Sequence, residues 1–225
     1  MVDEYVTQVD DALSLLRGHP RVNADSLFLL GHSLGGTVAP RLAARSRSVA
    51  GLILLAGGAQ PIHRAAVRQV RYLLSLAPAD AGLTRALDAL TRQAAAVDAP
   101  DLSASTPSRE LPFGVPAPYW LDVRSYDPAG AAAELDRPML LLQGGRDYQV
   151  TVDDDLPRWR AALQHRHDVT IRVLDADNHL FFPGSGPSTP VEYGPAQHVD
   201  PAVVIQIAGW SPQSRVARGL SLIHI

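Results

Sequence analysis

The chain of 225 residues is 46% apolar and 19% charged, with 20 Lys and Arg against 23 Asp and Glu for a net charge of −3. This is an ordinary globular composition with room for one domain and a sizeable core. Near-neutral charge without basic runs argues against nucleic acid as a partner, and a cysteine count of zero excludes disulfides, thiolate nucleophiles and Cys-ligated metals while leaving the compartment open. No apolar stretch approaches the roughly 20 residues that span a bilayer, and the start is acidic rather than signal-like.

In chain order, Val2 to Arg17 places Val2, Tyr5, Val6, Val9, Leu13 and Leu16 on one helical stripe, with Asp3 and Glu4 in the first turn and Gly18 and Pro20 as the stop. Four short apolar runs follow: Leu27–Leu30, Leu52–Leu55, Met139–Leu142 and Val169–Leu174. The first three lack alternation and are closely followed by Gly, as expected of strands buried on both faces of a parallel sheet. In the fourth, Arg172 interrupts the apolar pattern, which places that strand nearer an edge. Helical patterns at Leu34–Ala44, Leu156–Leu163 and Val203–Trp210 lie between or after the runs, the alternation of an α/β layered fold. About 80 residues separate the second run from the third, far more than one crossover needs. Two amphipathic patterns, Ile62–Leu76 and Leu83–Val97, and a Pro- and Ser-rich passage from Ala99 to Pro118 fill that interval. We read it as a crossover helix plus an inserted cap over the carboxyl edge of the sheet. The alternative is a few extra helices packed to one side.

Chemistry concentrates at three places. Gly31-His32-Ser33-Leu34-Gly35-Gly36 follows an apolar strand and opens a helical pattern, so Ser33 sits on a tight strand-to-helix corner with a helix N-terminus behind it. A serine hydroxyl needs a base, and the base an orienting carboxylate. Asp147 lies just past the third strand and His179 just past the fourth, both at carboxyl ends of strands, where an open α/β sheet collects its catalytic groups. Each has a duller reading: Asp147 capping its turn or pairing with Arg146, and His179 bonded to backbone. Asp175 and Asp177 are rival acids in the loop that carries His179. His165 and His167 read as a solvated connector, Asp153-Asp154-Asp155 as favourable negative charge at a helix start, and His32 as facing the protein. Arg64, Arg68 and Arg71 are spaced as a solvated helix face.

On these residues the chain resembles the α/β-hydrolases, and its elbow, its Arg146–Val150 turn and its Asn178–Phe181 loop are similar to a bacterial branch near the dienelactone hydrolases and the serine aminopeptidase-like hydrolases. Gly186–Tyr193 and His198–Pro201 match that branch as well. The resemblance implies Ser33 as nucleophile, Asp147 as acid, His179 as base and the Leu34 backbone N–H as one oxyanion donor, with no metal or organic cofactor. It also implies a bent helix at Pro40. In this family the nucleophile follows the fifth strand, yet only 32 residues precede Ser33. The expectation is therefore a partial domain over residues 1–210, with the crossover and cap at about 60–125, truncated at its N-terminal side. Leu27–Leu30 would then be an open apolar edge, a template for aggregation. At the other end, Leu220-Ser221-Leu222-Ile223-His224-Ile225 is what the codons CTG TCT CTT ATA CAC ATC spell, a string matching a transposon-end adapter used in sequencing libraries. Residues 211–225 are accordingly expected to be a non-native or disordered tail, an ordinary variable C-terminus being the alternative.

The activity implied is acyl transfer from a small-molecule ester to water. Tyr72, Tyr119 and Trp120 are candidates for pocket walls, the alternative being simple core aromatics. A peptidase or thioesterase on the same three residues, and a non-catalytic binding protein that kept the fold, remain open alternatives.

Overall fold

The computed structural model describes residues 2–210 and 221–224, with side chains from residue 6 to residue 210. It divides into a helical unit, Gln60–Asp127, and a sheet unit made of Val2–Ala59 and the described residues from Pro128 onward.

The sheet unit contains α1 (Val2–Arg17), β1 (Leu27–His32), α2 (Leu34–Arg45) and β2 (Gly51–Leu55) before the helical unit. After it come α6 (Pro128–Ala133), β3 (Met139–Gly144), α7 (Leu156–Leu163), β4 (Val169–Leu174), α8 (Pro201–Gly209) and β5 (Ser221–His224). The four strands expected from the apolar runs are β1 to β4. The sheet runs β4-β3-β2-β1-β5 with every pairing parallel. Successive side chains on a strand point to opposite faces, and the core divides accordingly. Leu27, Leu29, Leu52, Leu54, Met139 and Leu141 face α1, α2, α6 and α7. Leu30, Ile53, Leu140 and Leu142 face Phe181 and Val203 of α8. Each such side chain contributes about 1.5–3 kcal/mol by leaving water, which is why the runs read as unbroken apolar sequence. β4 lies at one end of the sheet and is half-exposed, as the interrupting Arg172 predicts. α2 runs through Pro40.

The expected open edge at β1 is not found. Ser221–His224 pairs with it in parallel, Leu27 opposite Ser221 and Leu30 opposite His224. A strand added there satisfies the row of backbone N–H and C=O groups that β1 would otherwise leave unpaired. Four residues of the expected tail thus pair with β1; residues 211–220 and 225 lie outside the described residues.

The loops after the strands are tied together. Trp159 of α7, 2% exposed, donates its Nε1–H to the Gly57 carbonyl just past β2 at 2.8 Å. Replacing Trp159 by Phe should cost about 1–3 kcal/mol in urea unfolding followed by circular dichroism, because that buried carbonyl loses its donor; an unchanged midpoint would remove the bond from the account.

The helical unit holds α3 (Ile62–Leu76), α4 (Ala81–Asp98) and α5 (Ala117–Val123). Asp80 caps α4 by accepting from the amides of Gly82 and Leu83 at 2.7 and 3.0 Å. Its C-terminal end is held by Arg124, which donates to the carbonyls of Val97 and Ala99. The core is Val97, Leu102, Leu111, Ala117, Trp120 and Val123. Arg64, exposed as expected of a solvated face, also pairs with Asp98, whose other oxygen meets the buried ring of His63 at 2.9 Å. Burial works to raise the Asp98 carboxyl, but Arg64 and His63 outweigh it and hold it below the ordinary aspartate range.

Candidate active site

The elbow comes first because it sets the other positions. Ser33 stands between β1 and α2 with φ 55° and ψ −117°, a region that costs a non-glycine residue about 1–3 kcal/mol and persists only where the surroundings enforce it. They do so here. The Ser33 N–H donates to the Leu55 carbonyl at 2.9 Å, and the Ser33 carbonyl accepts from the N–H and hydroxyl of Thr37 at 3.0 and 3.2 Å. The Thr37 hydroxyl in turn accepts from the Gly58 N–H at 3.0 Å. Strand and helix meet so closely that a Cβ on Gly31 would lie 2.4 Å from the Gly35 backbone. Leu34 opens α2, so its N–H belongs to the helix's first turn, where amides lack intrahelical acceptors.

The three sequence candidates converge. Ser33 Oγ lies 2.9 Å from His179 Nε2, and His179 Nδ1 lies 2.8 Å from Asp147 Oδ2. The Asp147 side chain is wholly buried and that of His179 nearly so. Both open readings of Asp147 meet here, on different oxygens. Its Oδ1 accepts from the turn amides of Gln149 and Val150 at 2.8 and 3.0 Å, leaving Oδ2 for the ring. Arg146 is not its partner, and of the rival acids Asp175 is exposed while Asp177 is buried apart from the ring.

Further residues hold this arrangement, and the sequence reading missed them. Gln143, buried at the end of β3, donates to Asp147 Oδ2 at 3.2 Å and to the Val150 carbonyl at 2.8 Å. A lone amide ending an otherwise apolar strand was the available signal. Arg146 donates to the carbonyls of Ala176, Ser185 and Gly186 and pairs with Glu192. Glu192 also accepts from Asn178 at 2.8 Å and Ser188 at 3.0 Å. Burial works to raise the Glu192 carboxyl, yet the Asn178, Arg146 and Ser188 bonds keep it below the ordinary glutamate range. Asn178 uses its oxygen to accept from the amides of Leu180 and Phe182, bracing the loop on either side of His179. The segment Gly186–Tyr193, noted above only for its resemblance, therefore buttresses the histidine loop.

His32 faces the protein as expected. Its Nε2 meets the His179 carbonyl at 2.8 Å, and since a carbonyl only accepts, that nitrogen carries the proton. Asp155 stands at the start of α7 as expected and has a second role there. It is 1% exposed, accepting the Ala59 N–H through one oxygen and the Thr151 N–H through the other, both at 2.9 Å. It therefore joins the loop after β2 to the loop after β3. His165 and His167 are exposed. The aromatic candidates lie in the helical unit. Trp120 is 1% exposed in its core and donates to the Val115 carbonyl at 3.2 Å, Tyr119 stands edge-on to it at 4.9 Å, and Tyr72 is half-buried on α3.

A parallel sheet covered on both faces, with a strained serine at a strand-to-helix corner and the histidine and aspartate on later strand ends, defines a hydrolase architecture. The chain belongs to the alpha/beta hydrolase family, whose profile matches residues 2–193. It is 38% identical to a protein named Esterase EstD from Thermotoga maritima over 207 residues, which is 92% of this chain and 47% of the relative. It thus spans about half the length of that relative. Among solved structures it is similar to the alpha/beta hydrolase GrgF from Penicillium sp. sh18, with TM-score 0.51, 15% identity and coverage of 92% of this chain and 70% of that one. It is also similar to an esterase of Pyrococcus furiosus, with TM-score 0.49, 14% identity and coverage of 79% and 55%. Among the described residues no helix is long and apolar enough to cross a membrane.

Proposed function

We propose that this chain carries the reaction centre of a serine hydrolase that transfers an acyl group from a small-molecule ester to water. The observation that supports it is the continuous path from Ser33 Oγ through His179 to Asp147, with separations of 2.9 and 2.8 Å. As Ser33 Oγ attacks the ester carbonyl, its proton passes to His179 Nε2. Asp147 holds the proton on Nδ1 and stabilises the imidazolium that forms. The Leu34 N–H donates to the oxyanion. The protonated Nε2 then gives its proton to the departing alkoxide, leaving an acyl group on Ser33. Water, deprotonated by the same nitrogen, releases the carboxylic acid. The esterase name of the 38% identical relative favours an oxygen ester as substrate.

The test is exposure of the chain to a fluorophosphonate, with the modified peptide located by mass spectrometry, alongside assays with short-chain aryl esters, aryl thioesters and amino-acid anilides. The expected result is a phosphonyl adduct on Ser33 and turnover of the esters. An adduct with anilides or thioesters as the better substrates would reassign the leaving group to a peptidase or thioesterase. No adduct and no turnover would leave a binding protein of hydrolase fold.

A further inference from the structure

Asp177 has a buried carboxyl group that the reaction above does not use. The residue is 0% exposed, and neither side-chain oxygen has a hydrogen-bond donor within reach. The side chain facing it is another carboxylate, that of Asp200 at the start of α8. A buried carboxyl group beside a second carboxylate keeps its proton to higher pH than a lone one. We propose that Asp177 and Asp200 share one proton, and that this carboxyl–carboxylate bond makes Asp177 a positioning residue for His179.

The backbone around the pair leaves Asp177 no exit. Its N–H donates to the Leu174 carbonyl at 3.0 Å, and its carbonyl accepts from the Arg146 N–H at 2.9 Å. A Cβ on Gly144 would lie 2.6 Å from the Asp177 carbonyl oxygen, so the histidine loop and the acid loop are in backbone contact at this point. Asp177 cannot swing into water without drawing His179 away from Asp147. From the other side, the Asp200 N–H donates to the Phe181 carbonyl, two residues past His179, at 2.8 Å. The shared proton therefore closes a loop of contacts that runs from residue 177 through His179 to Phe181 and α8.

The proton belongs on Asp177. Asp200 caps α8, accepting the Ala202 N–H at 2.7 Å, and the helix N-terminus favours its negative charge. Among the described residues, the charged groups that act on Asp177 are Asp200 and Arg146 from the loop after β3. The Arg146 guanidinium is occupied by Glu192 and by the carbonyls of Ala176, Ser185 and Gly186. Burial first, then the charge and hydrogen bond of Asp200, push the Asp177 carboxyl up to about 6, against the opposing pull of Arg146. Between the ordinary aspartate range and that value the folded chain holds a proton that the unfolded chain has lost. The stabilisation is therefore complete at the acid end of this window and is lost as pH rises through about 6.

The positioning role rests on His179 being the base; the shared proton does not. Urea unfolding from about pH 4 to pH 8 on the intact chain, Asp177→Asn and Asp177→Ala tests the proton. The intact chain should lose stability as pH rises through 6, and Asp177→Asn, which donates to Asp200 without titrating, should lack that fall. An Asp177→Asn profile parallel to the unsubstituted one would overturn the shared proton. The rate of fluorophosphonate labelling at Ser33 tests the positioning. Measured below pH 6, where the proton is in place, Asp177→Asn should label at close to the unsubstituted rate, while Asp177→Ala, folded by circular dichroism, should be slower by at least about tenfold. Equal labelling rates for all three would overturn the positioning role. No labelling in any of them would overturn it together with the assignment of Ser33, and the unfolding profiles would still decide the proton.

Discussion

Asp147→Asn is expected to lower kcat/KM on an ester by about 10⁴, with a loss of about 1–3 kcal/mol in unfolding free energy that leaves the chain folded. The reason lies in how this carboxylate is held. The amides of Gln149 and Val150 both point at Oδ1, so an asparagine must place its carbonyl oxygen there. Its NH₂ then faces His179 Nδ1 and Gln143 Nε2, the second a donor already aimed at the same point. Facing a donor, Nδ1 becomes the unprotonated nitrogen and Nε2 carries the proton. His179 then presents a hydrogen to Ser33 where it must accept one. Steady-state kinetics on an aryl ester, with urea unfolding as the control, check this. A variant within tenfold of the parent would mean that Asp147 does not set the tautomer.

Gly31→Ala should be strongly destabilising. The new carbon would lie 2.4 Å from both the carbonyl carbon and oxygen of Gly35 and 2.6 Å from the Gly36 nitrogen, all backbone. No side chain can rotate to make room, so α2 must lift from β1. Overpacking ordinarily costs about 1–3 kcal/mol, and more where the neighbour is rigid; at this position we expect the upper end or beyond, with loss of fluorophosphonate labelling because Ser33 leaves its place. Gly209→Ala serves as the control, since nothing lies within 4 Å of a Cβ there, and its unfolding midpoint should stay or rise slightly. Equal midpoints for the two variants would refute the steric account of the elbow.

What the sequence disclosed follows from how local each signal is. β1, β2 and β3 declare themselves because both faces are buried, making the apolar runs continuous, and α3 and α7 carry stripes that end where the helices end. Ser33, Asp147 and His179 stand out because each follows a strand at its carboxyl end. The features that escaped depend on distant partners or short segments. Asp155 looks like one of three acids at a helix start, and its bond to Ala59 spans 96 positions. Arg146 and Glu192 are 46 positions apart. α5 and α6, with 7 and 6 residues, are too short for a stripe to form, and α6 is mostly alanine. The pairing of β5 with β1 joins opposite ends of the chain, and no local pattern announces it.

The stretch Gln60–Asp127 departs after β2 and rejoins the sheet unit before α6 and β3. The partners described for Ser33, His179 and Asp147 (Leu55, Thr37, His32, Gln143, Gln149 and Val150) all lie outside it. Lengthening, shortening or rewriting those 68 positions breaks none of those bonds. Sequence change in that stretch is therefore uncoupled from the hydrogen bonds described for the three residues.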